Sequence, residues 1–190
     1  MNEPVTAQLT NRLRGRRKEL KLTLKEVAQR SGLSFSFIAQ VERGLTVPSL
    51  TSMVALANAL DTPINYFLDQ PAGAADHTHQ DGRIPYSLGP NAATYERLSS
   101  KFPGSVLSGS LITEPPGRRT EPMSHEGEEF IFMVDGALTV EFDNAVHVLE
   151  KGDSLHFQSQ RVHTTWNHTQ QPAVMLHICT MEYFGDSAEG

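Results

Sequence analysis

The stretch LKEVAQRSGLSFSFIAQVER, residues 24–43, decides the reading of the N-terminal part of this chain. Two short helical segments flank Gly32, a residue that takes the positive φ of a tight turn without steric cost. Thr23 with Glu26 three residues later is a capping-box signature for the first helix, in which Val27 and Ala28 face inward. Ala28 is small enough to let the two helices approach closely. Ser34 caps the second helix, Ile38 and Val41 pin it onto the first, and Gly44 ends it. This is helix-turn-helix spacing. It leaves the exposed face of the second helix projecting into a DNA major groove, while helix N-termini offer backbone N–H groups to phosphates.

Outward from that pair, Leu9, Leu13 and Leu20 form a sparse helical stripe in a segment carrying Arg12, Arg14, Arg16, Arg17, Lys18 and Lys21. Pro48-Ser49 opens a fourth helix, where Leu50, Met53, Val54, Ala57 and Leu60 recur at helical spacing. Thr62-Pro63 reads as a cap followed by proline at the first position of a short fifth helix, with Ile64, Phe67 and Leu68 closing the core. From Asp69 to about Gly82 periodicity disappears among Pro, Gly, Ala, Asp, His and Gln, which marks a linker with His77 and His79 solvated. The expected layout is a five-helix domain over 1–69, a linker over 70–83 and a second domain over 84–190.

Charge follows this division. The net −6 splits into +3 over residues 1–70 and −9 over residues 71–190, so only the front part is suited to approach phosphates. No signal pattern opens the chain and no apolar run is long enough to cross a bilayer, so no membrane is expected. The single cysteine, Cys179, excludes an intrachain disulfide framework and fits a reducing cytoplasm, as a packed core thiol.

Beyond Arg83 the chain reads as short strands: Val106–Ile112, Glu129–Val134, Ala137–Phe142, Val146–Leu149, Ser154–Phe157, His163–Asn167 and Val174–Thr180. Turn chemistry separates them, which argues for a closed barrel or a sandwich. With a side-chain period of two, His125 and Glu129 point the same way, with Ile131 and Met133 continuing that lining. His163 comes from a distant strand, and barrel closure could bring it to the same spot. Phe130, Phe132 and Val134 make the opposite face apolar, so a second sheet or a dimer partner is expected there. Glu128 is expected on that other face. His147, His156, His168 and His177 carry no motif support and read as surface or packed histidines.

Across residues 9–68 the sequence closely resembles the phage-repressor-like (XRE-type) helix-turn-helix family. The carriers are Leu22-Thr23, Glu26-Val27-Ala28, Ser31-Gly32-Leu33-Ser34, Ile38, Val41-Glu42-Arg43-Gly44 and Pro48-Ser49-Leu50. The resemblance implies a lambda-repressor-like fold in which Ser34, Phe35, Ser36, Phe37 and Gln40 face the groove. Gln40 has the amide chemistry to pair with adenine, and Phe35 or Phe37 could lie on thymine methyls, with Phe37 equally able to fill the helix interface. Arg17 and Glu42 fall where the family has a structural ion pair, and Arg43 and Thr46 where phosphates are contacted. Leu24 stands where many members have a phosphate-binding glutamine, leaving Thr23, Lys25 and backbone amides to serve.

Over residues 106–180 the pattern Gly117, Met123, His125, Glu129, Gly136, then Gly152, His163, Asn167 resembles the two motifs of the cupin superfamily. That resemblance implies a double-stranded β-helix (jelly-roll) barrel whose motifs hold a divalent metal, Zn, Fe, Ni or Mn. Met123 replaces the first histidine ligand, while His125, Glu129 and His163 remain. Two uses stay open: a two-histidine, one-carboxylate metal site, or hydrogen bonding of Met123, His125, Glu129 and His163 to an organic ligand. Together the two resemblances imply a class of bacterial regulators that includes repressors of polyamine catabolism. The expectation is a non-enzymatic, dimeric regulator on a palindromic operator, answering to a small-molecule effector. The acidic residues Glu126, Glu128, Glu129 and Glu141 point to a cationic effector such as a polyamine. The alternatives are a metal-dependent cupin oxygenase or isomerase fused to a DNA-binding domain, and a metal sensor.

Overall fold

The computed structural model describes residues 5–67, 76–143 and 145–181. Its helical part holds α1 (Val5–Glu19), α2 (Leu24–Ser31), α3 (Phe35–Val41) and α4 (Leu50–Ala59). The caps form as the sequence dictates. Thr23 Oγ1 accepts from the Glu26 N–H while Glu26 Oε2 accepts from the Thr23 N–H at 2.7 Å. Gly32 ends α2 at φ 72°, and the hydroxyls of Ser34 and Ser49 cap α3 and α4. Leu9, Leu13, Val27, Leu33, Ile38, Val41, Leu56 and Leu60 form the buried centre.

The expected fifth helix is corrected. Ile64–Tyr66 makes only a 3₁₀ turn, so the described residues hold four α-helices. Thr62 does not cap that turn, because its hydroxyl accepts from Arg16 Nε at 2.7 Å and lies 3.0 Å from the Leu60 carbonyl it donates to. Ile64 and Phe67 are buried as expected; Leu68 lies outside the described residues.

The β part contains β1 (Tyr86–Ser87), β2 (Thr94–Arg97), β3 (Ser108–Glu114), β4 (Glu128–Asp135) and β5 (Ala137–Phe142). It continues through β6 (Ala145–Glu150), β7 (Ser154–Gln158), β8 (His163–Trp166) and β9 (Ala173–Cys179). One sheet runs β1-β2-β3-β9-β4-β7 and the other β6-β5-β8, with antiparallel pairing throughout. The inner rows are Tyr95 on β2, Ser110, Ile112 and Glu114 on β3, Glu129, Ile131 and Met133 on β4, and Met175, His177 and Cys179 on β9, all buried.

Two expectations change here and one narrows. Strands β1 and β2 precede the first strand read from sequence. Val106 and Leu107 are exposed, and β3 starts at Ser108. Of the two covers expected for the outer β4 face, a second sheet or a dimer partner, the described residues supply no second sheet: Phe132 is 37% and Val134 40% exposed.

The two parts meet along α4. A helix apolar all round is buried on more than one side, and α4 buries Leu50, Ser52, Met53, Val54, Leu56, Ala57 and Ala59. Leu56 packs with Val27 and Ile38 of the helix pair, while Ser52 Oγ sits 3.7 Å from Met123 Sδ of the barrel.

Candidate DNA-reading face and barrel site

On the helical part, Ser34, Phe35, Ser36 and Gln40 share an exposed face of α3 and its cap, with Phe35 55% exposed. Thr23, Lys25 and Arg43 are exposed beside it and Thr46 is half-buried. Of the two places open to Phe37, groove or helix interface, its partly buried side chain packs against the core on the interface side. Ser34 Oγ is committed to the Phe37 N–H and to Ser36 Oγ, so the hydroxyl pair presents itself as one unit. Arg17 grips Glu42 through Nε at 2.6 Å and Nη2 at 2.8 Å, tying α1 to the end of α3. The hydrogen bond and charge of Glu42 outweigh burial and raise the Arg17 guanidinium above its ordinary value.

In the barrel, Glu129 stands at the centre of three imidazoles. Its Oε1 lies 2.7 Å from His125 Nε2 and 3.2 Å from His163 Nε2, and its Oε2 lies 2.9 Å from His177 Nε2. Burial pushes the Glu129 carboxyl up, but hydrogen bonds from the three histidines prevail and hold it well below the usual carboxylate range. Burial lowers His163, while the hydrogen bond and charge of Glu129 and the Arg161 carbonyl raise it to a net upward shift.

The cavity beside this cluster is lined by Tyr95, Ile112, Glu114, Thr120, Met123, Thr165 and Met175 from the barrel, with Ser49, Leu50 and Thr51 from the helical part. At its edge Arg118 Nη1 pairs with both oxygens of Glu114 at 2.7 and 2.8 Å. Desolvation raises Glu114 and Arg118 only partly offsets it.

The chain matches the helix-turn-helix family model over residues 13–67 and the cupin domain model over residues 110–179. An HTH-type transcriptional regulator of Sinorhizobium fredii, y4dL, is 44% identical over 59 residues, 31% of this chain and 30% of that protein. A transcriptional regulator in the ATPase CF(0) region of Rhodospirillum rubrum is 37% identical over 86 residues, covering 45% of this chain and 77% of that one. The HTH-type transcriptional regulator SutR of Escherichia coli is 22% identical over 168 residues, covering 86% of this chain and 89% of SutR. Among solved structures, an HTH_3 family transcriptional regulator from Vibrio cholerae has the same fold, with TM-score 0.59 and 24% identity over 93% of this chain and 97% of that one. This chain belongs to the helix-turn-helix transcriptional regulators that carry a cupin domain.

Of the residues this regulator was expected to gather, His125, Glu129 and His163 meet, with their ligand atoms within 4.8 Å of one another. Met123 joins them on the cavity wall, bridged to His163 through backbone bonds of 2.9 and 3.0 Å. The fourth member, His177, was read as a surface or packed histidine without motif support; it is packed, and β9 places it opposite Ile131 with its Nε2 on Glu129. The acidic cluster is corrected. Glu128 faces outward onto His156, Glu126 is exposed and Glu141 pairs with Arg119, so Glu114 and Glu129 are the acids that line the cavity. His147 stacks on Phe142, and His168 lies 2.8 Å from Thr139 Oγ1.

The donor set fits a divalent cation. His125 Nδ1 lies 3.0 Å from the Glu126 carbonyl and His163 Nδ1 lies 2.7 Å from the Arg161 carbonyl. Anchored at Nδ1 by a carbonyl, each ring turns its Nε2 toward Glu129, the nitrogen through which such carbonyl-anchored histidines coordinate a metal. Two imidazole nitrogens and a carboxylate oxygen would hold the ion, with the thioether of Met123 a poor fourth donor for a hard or borderline metal.

Proposed function

We propose that this regulator binds a palindromic operator as a homodimer and that a small molecule in the barrel sets its operator affinity, acting as a cytoplasmic repressor. The helical domain over 1–69 would read DNA, residues 70–83 would join it to the barrel, and 84–190 would sense. Gln40, with Ser34, Phe35 and Ser36, would read bases, Phe37 would contribute through the helix interface, and Thr23, Lys25, Arg43 and Thr46 would contact phosphates. One such head reaches a half-site, which is why two are needed.

A single observation carries the sensing role: the polar Glu129–histidine cluster faces a cavity whose other wall belongs to the DNA-binding part. A ligand lodged there touches both parts, and only a ligand preferring one arrangement of them shifts operator affinity. The partnered carboxylates favour a compact amine or amino-acid-derived metabolite over a long polycation. Calorimetry on the full chain with putrescine, spermidine and single amino acids is expected to find a saturable ligand that His163→Ala abolishes. Absence of binding across the series would overturn this effector class.

The carbonyl-anchored histidines favour a second reading, in which Zn, Fe, Ni or Mn sits on His125, Glu129 and His163 and offers open positions to the effector. Metal analysis of protein purified without chelator decides it, a stoichiometric metal supporting the reading and a metal-free protein rejecting it. If a bound metal supported catalysis, as an oxygenase or isomerase, a candidate substrate would turn over and His163→Ala would stop it.

A further inference from the structure

The amino end of α4 is built into the barrel as well as into the helical core. The Ser49 N–H and hydroxyl both donate to Glu121 Oε1 at 3.1 Å, and the Leu50 N–H donates to the Tyr95 hydroxyl at 3.1 Å. The first N–H groups of any helix lack intrahelical partners, so barrel side chains complete this helix start. Leu50, Ser52 and Tyr95 are all buried at this joint.

The cavity behind it is small. It offers about 50 Å³ to the centres of water molecules, room for roughly four waters at ~10–15 Å³ each. A larger molecule either extends out through the cavity's mouth or moves a wall to lie fully inside. On the barrel side the neighbouring strands β3, β9 and β4 are hydrogen-bonded to partners along both edges. The α4 wall is held by the Ser49 and Leu50 bonds and by side-chain packing.

We propose that the first turn of α4 is the movable wall of the barrel cavity, so that Ser49, Leu50 and Thr51 of the DNA-binding part are themselves effector-contact residues. A ligand larger than the closed cavity comes to lie fully inside by breaking the bonds to Glu121 and Tyr95. This rests on the barrel's role as a small-molecule sensor. Because Leu56 of the same helix and Leu60, which caps it, line the helical core with Val27 and Ile38, displacing its start displaces the α2–α3 reading pair. The closed joint fixes the position of each head, so opening it weakens operator binding.

The test uses the full chain with Tyr95→Phe and Glu121→Ala, singly and together, none of which touches the groove-facing residues. By hydrogen–deuterium exchange, peptides over 49–54 are expected to exchange at least tenfold faster in the double variant, with α2 unchanged. Should the double variant also lose protection in β4 and β9, the Tyr95→Phe chain alone is read. Unchanged exchange over 49–54 overturns the movable wall. On a duplex selected from a random pool by the wild-type chain, the double variant is expected to bind at least fivefold more weakly. Equal affinity overturns the link from joint to DNA. With spermidine as probe, the double variant is expected to bind at least fivefold more tightly, since the cost of opening has been removed. Equal or weaker binding by the variant counts against the wall. Absence of spermidine binding to either chain rejects that amine instead, and the exchange result then decides the wall by itself.

Discussion

Met123 stands beside His125 and His163 at the position where the cupin pattern has a further histidine ligand. Its backbone is locked to His163 in both directions, so a side chain there is aimed at the cluster by the fold. Met123→His is therefore expected to tighten Zn binding by on the order of tenfold or more, about 1.4 kcal/mol per decade. Titration calorimetry against the wild-type chain checks this, and unchanged affinity would mean the position does not reach the ion. On the helical side, the Arg17–Glu42 pair is 14% and 11% exposed. Removing one member of a mostly buried pair leaves the other charge uncompensated, so Glu42→Ala is expected to cost about 3 kcal/mol, read by urea denaturation. His125, Glu129 and His163 were legible from motif spacing, but the strand face expected to pair the first two is corrected. His125 precedes β4, which starts at Glu128 after Gly127 at φ 98°, and the turn brings its ring back onto Glu129. His177 was not legible. Its strand alternates Met175, His177 and Cys179 inward with Val174, Leu176 and Ile178 outward, and with both rows apolar a period of two cannot tell inside from outside.

At the scale of elements, the turns decide what the chain tolerates. Gly136 and Gly152 both take positive φ, 73° and 93°. A Cβ on Gly136 would stand 2.7 Å from the Pro172 carbonyl oxygen and 3.1 Å from Ala173 Cα, whereas one on Gly152 would meet nothing within 4 Å. Gly152→Ala is expected to cost about 1–2 kcal/mol for its backbone conformation alone. Gly136→Ala adds a clash with backbone that cannot swing away, roughly 1–3 kcal/mol more. Thermal unfolding of the two variants separates these contributions, and equal losses would refute the close approach. Helix caps were readable because Thr23, Glu26, Gly32, Ser34 and Ser49 act on their own neighbours in sequence. The fifth helix failed because the Thr62 hydroxyl is taken by Arg16, 46 residues away, a competition no local pattern contains. Strands β1 and β2 escaped for a related reason: two and four residues long, they are defined by pairing with β2 and β3 rather than by composition.

Over the whole molecule, the sequence places helix-period apolar residues along α4 but does not say that this helix serves two cores. The same kind of question hangs over β4, whose outer row was read as covered by a second sheet or a dimer partner and meets no second sheet among the described residues. Phe132 and Val134 lie there beside Leu176 of β9, the register partner of Phe132. Apolar side chains grouped on one sheet face bury their surface against a partner more favourably than against water. A second copy is the occupant that would also supply the two DNA heads proposed above, and a two-fold contact lets one patch serve both chains. Phe132→Glu would set two carboxylates against each other across such an axis. It is expected to convert a dimer to a monomer in sedimentation experiments while leaving the fold intact by circular dichroism. Affinity for a palindromic duplex should then fall by on the order of a hundredfold, as each head is left with one half-site. A Phe132→Glu chain that sediments as a dimer would move the interface elsewhere, because no symmetric contact through this face could absorb that pair of charges unpaired.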